Sequence, residues 1–226
     1  MVKLILKENK IELAEYSGDA TIQELSNAVE LFRLHDTKLK TRRCKGCGEC
    51  CNQPIPVLGL DLLKIQKTTG LALNEILEKY IVLPQKPNID ARKSSIKDFV
   101  KMCDVSLTEA AALYEYNECE PLILPRKEDG TCVFLDNATG LCTIFGQVMR
   151  PFTCELYICT MGDELSIIQE MIVRQGTWHA YYLLGWINKE EIFHNPFLNA
   201  DNYDKVYIKD FEFNCKKAAE KLFFYF

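Results

Sequence analysis

Four cysteines fall within eight residues of this chain, and they restrict its fold more than any other feature. Their pattern is C-x2-C-x2-C-C, formed by Cys44, Cys47, Cys50 and Cys51. Two intervening residues let neighbouring sulfurs turn toward one ion, and Gly46 and Gly48 relieve the tight loop. Thiolates held this closely repel one another unless a bound metal neutralises them. The motif therefore predicts a metal site around which the rest of the chain is organised.

The remaining cysteines divide into two groups. The chain has 11 Cys and only 3 His in 226 residues, so thiolates would supply most ligands of any bound metal. This content is too sparse for a small disulfide scaffold and too rich for core filling alone. A second group of candidate ligands follows later in the chain: Cys132, Cys142, Cys154 and Cys159. The first three lie beside turn signals, whereas Cys159 fits a ligand or a core residue equally well. The isolated cysteines are interpreted as core residues: Cys103, Cys119 and Cys215.

The adjacent pair Cys50-Cys51 limits how these thiols can be shared. Neighbouring side chains on an extended chain point to opposite faces, and Cα atoms about 3.8 Å apart are too close for an ordinary disulfide. The two thiolates are therefore expected to serve different metals, or one binds a cluster while the other serves chemistry or structure. The eight candidate cysteines could fill two tetrahedral sites, or form one cluster with spare thiols. Which member of the pair binds a cluster stays open.

The spacing is compatible with both zinc and iron. The knuckle Cys44–Gly48 suits zinc or rubredoxin-type iron, and three cysteines at x2 spacing also open a ferredoxin-type run. A 4Fe–4S cluster spreads its irons over several ångströms, so it can use thiolates that diverge. We therefore expect a 4Fe–4S cluster, with zinc as the alternative.

Composition and the first residues narrow the class of protein. The formal net charge is −5, and the basic run 38–43 has no interleaved aromatic residue, so nucleic-acid binding is not expected. The apolar run 4–6 is too short for a secretory signal, and no stretch approaches the roughly 20 apolar residues of a membrane helix. We expect a cytoplasmic protein without a membrane partner, in a compartment that keeps thiols reduced. The oligomeric state stays open.

Hydrophobic periodicity predicts an α-rich α+β fold with small hairpins. Together with the cysteine motif, this pattern predicts a single domain built around a cysteine-ligated metal centre. Strands are expected over 3–7, 11–16, 131–135 and 141–145. Helices are expected over 21–36, 60–69, 73–83, 107–117, most of 163–187 and 218–226. Capping boxes at Thr21-x-x-Glu24 and Ser106-x-x-Glu109 support two of these helices, and residues 84–95 are predicted to form a loop.

Three regions follow from these elements. Residues 1–41 form an N-terminal hairpin and helix, and residues 42–160 form the metal-binding domain. Residues 161–226 form an aromatic-rich helical segment that packs on it, with a partner-docking surface as the alternative interpretation of its aromatic residues.

The order of glycines and cysteines resembles a known family. The motifs that carry the likeness are Cys47-x2-Cys50-Cys51, Gly130-x-Cys132-x-Phe134-Leu135, Gly140-x-Cys142-x-Ile144 and Arg150-Pro151-x2-Cys154. They resemble the YkgJ-type CxxCxxCC cysteine-cluster family, which is described as zinc- or iron-chelating and includes relatives of the flagellin lysine N-methylase. The likeness covers roughly residues 42–160.

This resemblance implies metal ligation by seven of the candidate cysteines: Cys44, Cys47, Cys50, Cys51, Cys132, Cys142 and Cys154. It also implies a 4Fe–4S cluster used with S-adenosylmethionine in the methylase-like branch. Phe145 and Glu155 depart from the usual Tyr and Arg of the family, and residues 84–120 resemble an insertion. These departures affect the assignment of a substrate more than the assignment of metal binding.

No Rossmann, P-loop, nucleophile-elbow or radical-SAM motif is present in the sequence. The first functional hypothesis is therefore an iron–sulfur enzyme that modifies a protein or small-molecule substrate by methyl transfer, sulfur transfer or redox chemistry. The alternative is a non-catalytic zinc- or iron-binding module for structure, metal storage or partner docking. Arg150 is the candidate catalytic residue. It could donate hydrogen bonds to cluster sulfur or to an anionic substrate, or it could pair with a carboxylate such as Asp136.

Overall fold

The computed structural model of the chain describes residues 1–35, 50–103, 106, 110, 119–157, 161–192 and 195–211. The predicted α-rich α+β class is confirmed, since helices predominate and the strands form two-stranded antiparallel hairpins. Apart from residue 110, the predicted helix over 107–117 lies outside these ranges. So do the predicted helix over 218–226, the basic run 38–43 and four cysteines: Cys44, Cys47, Cys159 and Cys215.

The N-terminal elements are those predicted from local signals. β1 (Val2–Lys7) pairs antiparallel with β2 (Lys10–Tyr16) through a turn in which Glu8 and Asn9 have positive φ angles of 51° and 65°. Such a turn matches the right-handed twist of the strands. In α1 (Ile22–His35), the Glu24 N–H donates to Thr21 Oγ1 over 3.2 Å and the Thr21 N–H donates to Glu24 Oε2 over 3.1 Å. The hairpin and the capping box are therefore confirmed.

Three helices follow the cysteine motif. α2 (Gly59–Thr69) ends where Gly70 adopts a φ of 72°, as predicted. α3 (Leu73–Tyr80) ends before the predicted residue 83, because Val82 pairs with Ile123 instead of continuing the helix. α4 (Ile89–Cys103) begins inside the segment predicted as a loop, so that prediction is wrong from residue 89 onward. The Asn88 side chain caps this helix by accepting the N–H of Ala91 over 3.0 Å.

Short strands connect the two parts of the cysteine pattern. β3 (Pro56–Val57) pairs antiparallel with β4 (Leu122–Ile123), and β5 (Leu135–Asp136) pairs antiparallel with β6 (Leu141–Cys142). The predicted hairpin around 136–140 is therefore confirmed. Its strands are shorter than predicted, because the backbone at Cys132 bonds to Cys51 rather than to the partner strand.

Two helices complete the described fold. α5 (Phe152–Leu156) is short, and α6 (Asp163–Leu183) is the long helix predicted over most of 163–187. α6 crosses the start of α2 closely: a Cβ atom on Gly59 would lie 2.4 Å from His179 Nδ1, and one on Gly176 would lie 3.0 Å from Leu58. Glycine is required at position 59, because a side chain there would collide with α6, and at position 176 a side chain would force Leu58 to shift. This contact fixes the segment that joins the cysteine motif to α2.

The buried side chains form two clusters. The N-terminal core joins β2, α1, α5, the first half of α6 and the turns after it, and includes Ile11, Leu25, Phe152, Ile172, Phe197, Tyr203 and Phe211. The thiol core joins the cysteine-bearing segments to α2, α3 and the second half of α6, and includes Val57, Leu62, Leu122, Trp178 and Tyr181 together with Cys51, Cys119 and Cys132. No helix in the described ranges has both the length and the apolar character needed to cross a bilayer.

Candidate metal centre

The vicinal cysteines lie in a tight turn. Cys50–Asn52 form one turn of 3-10 helix, and the Cys51 side chain is 6% exposed. The expectation of an extended loop at this pair is therefore wrong. Successive side chains of a 3-10 helix differ by about 120° around the axis, because the helix has about three residues per turn. In general, a 3-10 turn therefore separates the directions of adjacent side chains, although by less than the half-turn of an extended strand.

The two cysteine groups meet through the backbone. The Cys132 N–H donates to the Cys51 carbonyl oxygen over 2.9 Å, and Arg126 Nη2 donates to the Asn52 carbonyl oxygen over 2.6 Å. On its other side, Cys132 pairs with Arg126 in an antiparallel bridge. The first of these bonds joins residues that lie far apart in the sequence, so the two cysteine groups are adjacent in the fold.

Cys142 lies next to this junction. Its partner across the β5–β6 hairpin is Leu135, whose N–H donates to the Cys132 carbonyl oxygen over 3.0 Å. Cys132 and Cys142 are thus close along the hairpin without being directly opposite each other. Cys142 is half-buried, whereas Cys132 is 4% exposed.

Cys154 is held by α5 against the segment that follows the first motif. The Thr153 hydroxyl donates to the Pro56 carbonyl oxygen over 2.7 Å, and the Cys154 side chain packs on the thiol core. α5 itself begins directly after Pro151, whose carbonyl accepts the Cys154 N–H over 3.0 Å. The structure therefore brings Cys51, Cys132 and Cys154 to one apolar cluster.

A buried carboxylate fixes α5 relative to α2. Asp61 is fully buried, and its two oxygens accept the Leu58 N–H over 3.0 Å and the Phe152 N–H over 2.9 Å. Burial raises the pKa of the Asp61 carboxyl, while the charge of Lys64 and both N–H groups act in the opposite direction. Asp61 thereby joins the first turn of α2 to the first turn of α5.

Lys64 provides a second link between these helices. Its ammonium group donates to the Arg150 carbonyl oxygen over 2.8 Å and to Glu155 Oε1 over 3.2 Å. Burial raises the pKa of the Glu155 carboxyl, and the positive charge of Lys64 opposes that shift. Both links hold the backbone on either side of Cys154.

The Arg150 side chain is buried and contacts the backbone of the second cysteine group. Its Nη2 donates to the Cys154 carbonyl oxygen over 2.6 Å, and its guanidinium carbon lies 4.4 Å from the centre of the Phe145 ring. The neighbouring carboxylate is Glu30, 3.5 Å away, and not the suggested Asp136, which bonds within its own turn. The geometry makes Arg150 a support for the Cys154 main chain.

A cavity of about 240 Å³ adjoins this region. Its walls come from the segment after the first motif, from α5 and from α6: Gln53, Pro54, Ile55, Pro56, Thr153, Cys154, Tyr157, Gln169, Glu170 and Val173. Among the described residues, the cysteine on its wall is Cys154. The cavity therefore lies where the two parts of the cysteine pattern meet.

The described side chains do not complete a metal site by themselves. Within the ranges given above, no group of three or more His, Cys, Asp or Glu side chains is arranged to hold a metal ion. Three of the predicted ligands lie outside those ranges: Cys44, Cys47 and Cys159. Cys119, predicted as a core residue, is buried with its thiol 3.8 Å from the Arg174 carbonyl oxygen.

Two residues that organise the site were not among the predicted ones. Asp61 carries a sequence signal, since an acidic residue in the first turn of a helix is typical of N-terminal capping. Thr153 carries no such signal, because its partner Pro56 is 97 residues away. Neither residue could be connected with the cysteines before the packing of α2 against α5 was known.

A set of thiols, buried among apolar side chains and brought together from two distant segments, is typical of a site for a thiophilic metal. The family model CxxCxxCC, described as "Putative zinc- or iron-chelating domain", matches residues 43–176. The chain belongs to this family, and a metal-binding role follows from that membership. Comparison with curated proteins found no match, and comparison with solved structures found none either.

Proposed function

We propose that the protein holds a 4Fe–4S cluster with thiolates from both cysteine groups. Cys44 and Cys47 would anchor one side, one member of the Cys50-Cys51 pair would be the third ligand, and Cys132 would be the fourth. The observation that carries this proposal is the 2.9 Å bond from the Cys132 N–H to the Cys51 carbonyl. It joins the second cysteine group to the last residue of the first motif.

The chemistry of the donor set supports a thiophilic group. Cys51 and Cys132 are each less than a tenth exposed and lie among hydrocarbon side chains. A thiolate in such surroundings is strongly disfavoured unless a cation neutralises it. Since the described residues alone do not complete a site, the remaining ligands would come from the dense first motif. Cys142, Cys154 and Cys159 are then candidates for a second metal.

When bound, a cluster of this kind would supply electron transfer or, with S-adenosylmethionine, methyl-transfer chemistry to a protein or small-molecule substrate. The residues around the cluster would hold the two cysteine groups in a fixed position relative to each other. Asp61 aligns α5 with α2, and Arg150 holds the carbonyl of Cys154. A reducing compartment such as the cytoplasm would keep unligated thiols reduced.

Metal analysis tests this proposal directly. Protein purified without oxygen is expected to contain iron and acid-labile sulfide in equal amounts and to absorb in the visible range. Zinc in stoichiometric amount, with no sulfide and no colour, would contradict the cluster and leave the zinc alternative.

The vicinal pair offers a sharper test. Because neighbouring side chains of a 3-10 turn point apart, Cys50→Ser and Cys51→Ser should differ in iron, sulfide and zinc content. One variant is expected to lose the visible absorption, while the other keeps the cluster or loses only a second metal. Identical metal content and spectra in both variants would show that the two thiols are equivalent.

The second candidate function is a non-catalytic metal-binding module. It is favoured by the burial of Arg150, which is 5% exposed and donates to a backbone carbonyl. Arg150→Lys distinguishes the two functions. If Arg150 positions the centre for chemistry, the variant should keep its metal but change its reduction potential. An unchanged potential with only a lower melting temperature would favour the structural module.

A further inference from the structure

The cavity beside Cys154 is built by three segments whose packing is already fixed. Thr153 bonds to Pro56 over 2.7 Å, and the adjacent Ile55 carbonyl accepts the Leu124 N–H over 3.0 Å. The third wall is the half-buried side of α6 around Val173. A cavity between three anchored walls is preformed, as small-molecule sites usually are.

Among the described residues that line the cavity, no charged group lacks a partner. The one carboxylate among the lining residues is Glu170, and its Oε1 accepts from Arg174 Nε over 2.7 Å. The rest of the lining is mostly apolar, with the amides of Gln53 and Gln169 able to donate and accept hydrogen bonds. An ionic ligand would lose hydration here without gaining a counter-charge.

The volume indicates how much of a ligand the cavity can enclose. An apolar protein cavity of about 150 Å³ is large enough for benzene. At about 240 Å³, this cavity has room for a benzene-sized ring with a short substituent. It lies below the range of about 300–1,000 Å³ that is typical of sites for larger ligands.

We propose that this cavity binds a small neutral molecule with an apolar body and one hydrogen-bonding group, and presents it beside Cys154. The inference rests on the proposed function in one respect, namely that the bound molecule would be the substrate offered to the metal centre. S-adenosylmethionine is not the expected occupant, because it is larger than the enclosed volume and carries three charged groups.

Three probes of nearly equal size test the charge preference: benzyl alcohol, benzoate and benzylamine. Saturation-transfer NMR and titration on the metal-loaded protein should show binding of benzyl alcohol, with both charged analogues at least about tenfold weaker. S-adenosylmethionine should not displace benzyl alcohol. Equal binding of the charged analogues, or displacement by S-adenosylmethionine, would overturn the proposal.

A matched pair of variants on α6 locates the binding. Val173→Phe fills the cavity, whereas Ile167→Phe places the same side chain at a residue that is 37% exposed and outside the lining. Val173→Phe should weaken benzyl alcohol binding at least tenfold, and Ile167→Phe should leave it unchanged. Retained binding in Val173→Phe would show that the probe binds elsewhere.

Metal content measured on the same samples separates this inference from the proposed function. Full metal content without benzyl alcohol binding would overturn the cavity assignment and leave the cluster standing. Benzyl alcohol binding in a protein that takes up neither iron nor zinc would support the cavity as a ligand site and overturn the metal proposal.

Discussion

The N-terminal core and the thiol core are both well buried, but their interiors have different chemistry. The first consists of aliphatic and aromatic side chains, such as Ile11, Phe152 and Phe197, that gain stability simply by leaving water. The second buries Cys51, Cys119 and Cys132 among its hydrocarbons. Hydrophobic burial is therefore enough to explain the first core. The second is expected to depend on whatever the thiols bind, so the two halves of one fold should respond differently to metal.

Metal removal should separate the two cores most strongly. Treatment with a chelator under reducing conditions is expected to raise hydrogen exchange in residues 44–59 and 131–160 together, because metal-binding energy is folding energy. The β1–β2 hairpin and α1 should stay protected, since their packing is hydrophobic. Unchanged exchange in both cysteine segments after complete metal loss would contradict this account.

Removal of a large side chain from the N-terminal core should lower stability without changing the metal content. Phe197 is fully buried and packs against the rings of His179, Tyr203 and Phe211. Phe197→Ala is expected to cost about 3–5 kcal/mol of unfolding free energy, because it removes a buried ring and leaves a cavity. Urea unfolding measures the loss. Metal content per folded molecule should remain that of the wild type, and a fall in it would show that the cores are coupled.

A pH titration probes the seam between the cores. His179 is 3% exposed, its Nδ1 has no hydrogen-bond partner within the described part of the chain, and burial lowers its pKa to about 4. An unfolded histidine titrates near pH 6.5, so the unfolded state binds more protons between pH 6.5 and pH 4. The stabilisation that comes from neutral His179 should be fully present above pH 6.5. The free energy of unfolding should fall by up to about 3 kcal/mol as the pH drops from 6.5 to 4.

The matched variant for that titration is His179→Phe, which keeps an aromatic ring beside Tyr182 and Phe197. It should flatten the dependence of the unfolding free energy on pH in this window. An unchanged slope would assign the acid sensitivity to other groups.

The smallest expected effect concerns the link between α5 and the first motif. Thr153→Val removes the bond to the Pro56 carbonyl and should cost about 1 kcal/mol. Thr177→Val is the control, because the Thr177 hydroxyl bonds to Val173 within α6. Faster hydrogen exchange around residues 53–56 is expected only in Thr153→Val. Equal exchange in both variants would show that the Thr153 bond does not hold this segment.

Local sequence signals were sufficient to predict many of the helix ends and turns. They failed where contacts with distant segments determine where an element begins or ends. The turn at Glu8-Asn9, the capping box of α1 and the Gly70 end of α2 are all encoded within a few residues. The end of α3 depends on Val82 pairing with a strand 41 residues later (123 − 82 = 41), so helical periodicity could not locate it. α4 begins beside Pro87, where a loop and a capped helix start have similar composition.

The features of the site also divide into those that local spacing predicts and those that depend on packing. Spacing alone predicted two groups of cysteine ligands and three isolated core cysteines, and both assignments stay predictions, although Cys119 is buried as expected. Spacing could not reveal that Asp61 joins two helices through hydrogen bonds. It also could not reveal that Arg150 bonds to a backbone carbonyl, or that a cavity lies against Cys154. Those features arise from the packing of α2 and α6 on α5, which no local pattern encodes.

Metal content in one matched pair of variants tests the central claim most directly. Cys132 and Cys119 are both buried in the thiol core, at 4% and 6% exposure, so replacing either with Ser introduces a similar polar group into similar surroundings. Cys132 bonds to the backbone of Cys51 and is proposed as a ligand, whereas Cys119 is predicted to be a core residue. Iron, sulfide and zinc should be determined on both variants after anaerobic purification, together with the visible spectrum. The account predicts that Cys132→Ser loses iron and visible absorption while Cys119→Ser matches the wild type. Equal metal content in the two variants would contradict it.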